Sequence, residues 1–167
     1  MRKRDFDINF KSLSLGSHDF SFELNDEFLQ LFEYTDHQHL QAKASLVLIK
    51  HNTFLELSFA AKGKIEVVCD KSGEPFMQKI KNNFLLMVKF GDAYNDNDDE
   101  TLILPQGEYQ VSVAQYLYEL IVLAIPLKNI HPDVLSGKKA VDVKEEPDFE
   151  SKEEIDPRWD KLKDLLN

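Results

Sequence analysis

Phe6, Ile8 and Phe10 alternate with polar residues, and Phe20, Phe22 and Leu24 do the same. A period of two marks a strand with one face buried and the other wet. Residues 13–17 between these runs read as a connection with a turn. The period then changes over residues 25–32, where Phe28, Leu31 and Phe32 fall on one helical face. Asn25 is placed to cap this helix, and Asp26 and Glu27 suit the positive end of its dipole. Strand period returns over residues 40–50, with Leu40, Ala42, Ala44, Leu46 and Leu48 on one face. After a turn at 51–53, residues 54–69 predict a long strand. Leu55, Leu57 and Phe59 alternate, Gly63 marks a bulge or bend, and Ile65, Val67 and Cys69 resume the pattern. A turn holding Cys69 leads into residues 76–90, where Leu86, Val88 and Phe90 alternate.

The second half reads differently. Residues 91–100 are dense in aspartate and predict a solvated, mobile loop. Such oxygen clusters suit hard cations, but no register supplies both the sixth-position glycine and the twelfth-position glutamate of an EF-hand. Residues 108–112 predict a short strand and 113–125 the main helix. Its stripe is Val113, Leu117, Leu120, Ile121 and Ala124, and Pro126 stops it. The expected fold class is therefore α+β: an antiparallel β-meander, or partly closed barrel-like sheet, with one main helix and a short C-terminal helix. Residues 1–135 make one β-rich domain. Residues 136–155 are rich in lysine, glutamate and aspartate and predict a flexible acidic tether. Residues 156–167 predict a terminal helix with Asp156 as N-cap, Pro157 at its first position and a stripe of Trp159, Leu162, Leu165 and Leu166.

Composition narrows the function. A chain of 167 residues supports one domain with a real core. Its single cysteine excludes an internal disulfide framework and fits a reducing cytosol. Met1-Arg2-Lys3-Arg4 is followed by no apolar segment of the secretory kind, and the run from Leu120 to Ile125 is too short to span a bilayer. The expectation is a cytoplasmic protein with no membrane contact. A net charge of −10 argues against tight, nonspecific nucleic-acid binding, which needs many cations on phosphate. Local exceptions are Arg2-Lys3-Arg4, the pair Lys62/Lys64 and the pair Lys79/Lys81; the plainer reading makes them solvated surface charge.

No P-loop, Gly-x-Gly-x-x-Gly, His-Glu-x-x-His or nucleophile elbow occurs, so no catalytic residue and no cofactor are assigned. His37 and His39 sit two apart in a polar turn that would suit a weak surface metal site; the plainer reading makes them loop histidines with no role. His131 could cap the last carbonyls of the main helix or support a partner site. Cys69 has no base assigned to it by sequence and reads as an inert, covered thiol. The stretch Cys69-Asp70-Lys71-Ser72-Gly73-Glu74-Pro75-Phe76 has half of a zinc knuckle: a second thiol would belong at Ser72.

Three segments in order resemble the YceD family, the bacterial large ribosomal RNA subunit accumulation proteins. Cys69 to Phe76, with Glu74 and Pro75, is similar to the family's Cys-x-Arg-Cys-Leu-x-Pro-Phe-like turn. Glu119 to Pro126, with His131 beyond, is similar to its Glu-x-x-x-Leu-x-x-Pro helix end. Asp156-Pro157-Arg158-Trp159 through Leu165 resembles its closing helix. Ser72 departs from the second cysteine, Lys71 from the common arginine, and no later cysteine pair follows Pro126. The resemblance, with this departure, implies a member that folds and works without zinc. It implies a non-enzymatic accessory factor in ribosome biogenesis that supports accumulation or processing of large-subunit (23S) rRNA. The implied partner is a ribosomal protein or pre-50S assembly intermediate, contacted through protein first and through local rRNA contact second, because an acidic protein meets a basic partner more readily than naked RNA. The possible partner contacts are Cys69, Ser72, Glu74, Pro75, Pro126, His131, Asp156, Pro157, Arg158 and Trp159. The competing reading is a small-molecule-binding or enzymatic β-rich domain that uses Cys69 or His131.

Overall fold

The computed structural model describes residues 1–98 and 100–136. Beyond Ser136, the predicted tether and the terminal helix, with Asp156, Pro157, Arg158 and Trp159, lie outside the described residues. The long alternating runs form three adjacent antiparallel strands, β3 (Gln38–Lys50), β4 (Phe54–Val68) and β5 (Pro75–Gly91). Strand β2 (Gly16–Asn25) pairs with β3 at one side. One face of these strands is dry: Leu40, Ala42, Ala44, Leu46 and Leu48 on β3, and Leu55, Leu57, Phe59, Ala61, Ile65 and Val67 on β4, are all buried. The alternation of inward apolar and outward polar residues fixes the register, since a slip of one residue would turn every side chain over.

The other side departs from a meander. Strand β6 (Asn95–Asp98) lies within the predicted acidic loop, and β7 (Thr101–Pro105) inserts between β5 and β6, parallel to β5. The sheet order is β2-β3-β4-β5-β7-β6, and the sheet is open rather than a partly closed barrel. The physical reason lies in its edge. β6 is short and exposed throughout, with no apolar residue to bury against β2. β7 holds its place through the buried Leu102 and Leu104.

Around Gly63 the irregularity sits on the neighbouring strand. β4 continues through the glycine, while β3 shifts register between Gln38 and Gln41, with His39 at φ 58°. A Cβ at Gly63 would lie 2.5 Å from Ala42 Cβ and from the Gln41 carbonyl oxygen, so glycine is what allows this close approach.

The dry face is covered from several directions. Helix α1 (Asp26–Gln30) packs on β2 and β3, with the Asn25 side chain accepting from the Phe28 amide as predicted. Its most buried residues are Phe28 and Leu29 rather than Leu31 and Phe32. The predicted first strand is mostly a 3-10 turn (Lys3–Phe6) followed by the two-residue β1 (Asp7–Ile8), although Phe6, Ile8 and Phe10 are all buried as the alternation requires. β1 pairs with β8 (Val111–Ser112), which is shorter than the predicted 108–112 strand. Helix α2 (Ala114–Val122) then packs against β4 and β5 through Leu117, Leu120 and Ile121. It ends three residues before the expected Ile125. Tighter i→i+3 bonds, Ala124 to Ile121 and Ile125 to Val122, close the chain before Pro126. A final short helix, α3 (Pro132–Leu135), was not predicted.

Candidate functional site

The turn from β4 to β5 is closed by its own backbone. The Cys69 amide donates to the Glu74 carbonyl at 2.9 Å and the Gly73 amide to the Cys69 carbonyl at 2.8 Å. Gly73 takes φ +69°, a conformation that glycine reaches without steric cost. Pro75 opens β5, the strand position where a missing N–H is tolerated. The segment after Pro126 folds back onto this turn. The Asp70 amide donates to the Asn129 carbonyl at 2.8 Å, and the Asn129 amide donates to Asp70 Oδ2 at 2.7 Å. The His131 amide points at Cys69 Sγ, 3.3 Å away, and the imidazole meets the Phe76 ring edge-on at 5.1 Å. Thus Cys69, Ser72, Glu74, Pro75 and His131 meet in one place. Pro126 is exposed, ahead of the returning segment.

His131 corrects one expectation. It caps the start of α3, its Nδ1 accepting from the Asp133 amide at 3.1 Å, rather than the end of the main helix. Cys69 is only 1% exposed. Its thiol is nonetheless lowered to about 7. The His131 N–H is the largest cause, the Ser72 hydroxyl adds to it, and the Ser72 and Lys71 amides help, while burial opposes and is outweighed. The Ser72 Oγ has no partner in hydrogen-bonding geometry among the described residues, so its influence on the sulfur comes from proximity. Asn129 Oδ1 is likewise buried without such a partner. Among the described residues, no group of three or more His, Cys, Asp or Glu could hold a metal ion. His37 and His39 are engaged separately: His37 Nδ1 with Tyr34 Oη at 2.6 Å, and His39 with Glu66 at 3.3 Å.

Sequence reasoning missed a second place. Between α2 and the β5–β7–β6 side lies a cavity of about 970 Å³. Phe84, Tyr94, Tyr116 and Tyr118 supply rings to its wall, and Asp96, Asp98, Glu108 and Glu119 supply carboxylates. No lysine, arginine or histidine lines it among the described residues. Asn82 fixes the helix to the sheet by donating to the Leu120 carbonyl at 3.2 Å. Leu123, at the mouth, is 77% exposed. The tyrosines register the local field. Burial, then Tyr94, Asp96 and Glu119, push Tyr116 up to about 12. Burial and a 3.1 Å bond to Asp96 raise Tyr94 as well. The aspartates at 95–98 were the visible signal; their meeting with the tyrosines of α2 depends on the β5–β7 crossover.

The basic residues also sort themselves. Lys3 of the N-terminal cluster sits over the Phe32 ring at 4.6 Å. The two internal pairs come together, because β4 and β5 place Lys62 opposite Lys81 and Lys64 opposite Lys79.

No curated protein and no solved structure matches the chain. Among the described residues, no helix is long and apolar enough to cross a membrane. The family model described as large ribosomal RNA subunit accumulation protein YceD matches residues 57–166, more than half of the chain. That span contains the Cys69 turn, the Glu119 to Pro126 segment and the Asp156 to Leu165 motif together. The chain belongs to the YceD family, whose description implies a role in ribosome biogenesis.

Proposed function

We propose that this protein is a non-enzymatic accessory factor, acting in the cytoplasm, that supports accumulation or processing of large-subunit (23S) rRNA by holding a ribosomal protein or a pre-50S assembly intermediate. The observation that carries this reading is the family match across residues 57–166. The docking place is the tyrosine-lined groove beside α2. Its occupant is a lysine- or arginine-rich segment of a ribosomal protein. Four carboxylates and no cation line the groove among the described residues, so a basic segment gains attraction and faster encounter there. Aromatic walls suit the aliphatic stems of such side chains. The Cys69 turn is a structural clamp that ties the β4–β5 hairpin to the chain beyond α2, and it does so without zinc. The Asp156–Trp159 segment supplies a further contact, in cis or on the partner.

The enzymatic alternative gains little from the geometry. The thiol of Cys69 is lowered, but the sulfur is covered, and the large cavity is lined by neither Cys69 nor His131. The test is co-sedimentation of the tagged protein with pre-50S particles. Asp96→Asn combined with Glu119→Gln should reduce the bound fraction about tenfold, the change expected from loss of two charge contacts of modest strength. Binding unchanged in that variant would remove the groove from the account. Truncation before Asp156 with unchanged co-sedimentation would remove the terminal segment.

A further inference from the structure

Lys62, Lys64, Lys79 and Lys81 form a square on the outer face of the sheet. The register pairs Lys62 with Lys81 and Lys64 with Lys79 across β4 and β5, and all four side chains are exposed. Strand geometry sets the corners about 4.8 Å apart across the strands and about 6.7 Å apart along them. Lys43 extends one row, since it lies opposite Lys62 on β3.

Directly opposed like charges destabilise a sheet. Natural strands relieve such pairs with a neighbouring carboxylate. Here the nearby carboxylates are engaged elsewhere. Glu23 pairs with Lys43 at 3.3 Å, and Glu66 pairs with His39 at 3.3 Å. Among the described residues none of the four lysines has an ion-pair partner, in a chain whose net charge is −10. A square of unpaired cations in a strongly acidic protein is an arrangement that an external polyanion would relieve.

We propose that this square is a contact site for the phosphate backbone of single-stranded nucleic acid, RNA in the setting of the family. Four flexible lysine side chains on a patch of this size can meet two or three neighbouring phosphates of one strand. The lysines read charge and carry no sequence code of their own. The acidic groove does not cancel the site. The two faces are set by alternate residues of β5: Asn82 turns toward α2, where it donates to the Leu120 carbonyl, while Lys79 and Lys81 turn outward. The site stands on its own geometry and adds a second contact to the ribosomal reading above. Its failure would leave both the family role and the groove intact.

The test is fluorescence anisotropy of the full chain with a labelled 20-nucleotide single-stranded RNA of mixed sequence, repeated from 50 to 200 mM salt. Two or three phosphate contacts predict a slope of log affinity against log salt of about −1.4 to −2, an affinity loss of about 7- to 20-fold across that range. The variant K62Q/K64Q/K79Q/K81Q should lose at least tenfold in affinity at 50 mM salt and most of the slope. Its thermal midpoint should stay equal or rise, because the opposed charges are gone; this separates loss of a site from loss of the fold. A control, K11Q/K89Q/K128Q, should keep the affinity of the parent within about twofold. The proposal is overturned if the parent binds no RNA at 50 mM salt, if the quadruple variant binds like the parent, or if a polyglutamate peptide of equal charge binds as tightly as RNA.

Discussion

A lysine cluster and an acidic groove lie on opposite sides of the six-stranded sheet, and different elements supply them. On β4, Ala61 and Ile65 point into the core while Lys62 and Lys64 point out; on β5, Ile80 points in between Lys79 and Lys81. Behind the core, α2 and the β5–β7–β6 side frame a groove with Asp96, Asp98, Glu108 and Glu119. A net charge of −10 describes neither side. Formal charge predicts solubility and long-range steering; contact is decided by where strand register sets the lysines and where β6 and α2 set the carboxylates.

The largest effect should come from the layer that the two sides share. Phe59 is fully buried and its ring lies against Phe84 and Tyr116, joining β4, β5 and α2. Phe59→Ala should cost about 3–5 kcal/mol in equilibrium denaturation. Both RNA and peptide binding should weaken together as the fold loosens. A cost below about 1 kcal/mol would mean that the two sides do not depend on a common core.

Gly63→Ala should be the sharper cut. The added methyl meets the Gln41 carbonyl and Ala42 at 2.5 Å, so β3 and β4 must separate where the lysine square sits. A loss of about 1–3 kcal/mol is expected from overpacking. RNA affinity should fall more than peptide affinity. Equal losses on both sides would break the proposed independence.

Neutralising the groove is the reciprocal experiment. Asp96→Asn with Glu119→Gln should weaken binding of a lysine-rich peptide about tenfold, roughly 1.4 kcal/mol. RNA affinity should be unchanged or slightly higher. Burial, the largest cause of the raised Tyr116, and Tyr94 remain in that variant, so an ultraviolet titration should show Tyr116 lowered only in part, by the loss of Asp96 and Glu119. A Tyr116 titration unmoved by the double variant would remove these carboxylates from the field of the groove.

The smallest effect concerns the Cys69 clamp, which belongs to neither side. Thiolate absorbance should titrate near pH 7 in the native protein. Iodoacetamide labelling should still be slow there, because the sulfur is covered. The native thiol lies below its unfolded value of about 8.5, so the native state releases its proton first. Stability from this group is fully present above about pH 8.5 and is lost as pH falls through 7. Cys69→Ser should flatten that slope. His131→Ala should retain most of the lowering, since the main cause is a backbone N–H.

The central strands were legible because each buries a full face. β3 from Leu40 to Leu48 and all fifteen residues of β4 hold one period. The parallel β5–β7 pair was not legible: β6 is wholly polar and exposed, and local pattern cannot report that Thr101–Pro105 inserts inside it. Of the candidate site, both lysine pairs were visible singly, but their meeting follows from the hairpin register. Cys69 and His131 were each visible as well. Nothing local to either one says that the chain returns 62 residues later to put an amide on the sulfur. The groove was least visible, because Tyr94 and its aspartates fell in the predicted loop while Tyr116 and Tyr118 fell within the predicted main helix, outside its stripe.

The most direct test of the central claim is the ratio of 23S to 16S rRNA, with the accompanying subunit profile, in cells lacking this protein. The account predicts a fall in 23S rRNA and in free and assembled large subunits. Wild-type protein should restore both, while the four-lysine and the groove variants should each restore only part. A normal ratio and a normal profile in the deletion strain would contradict it.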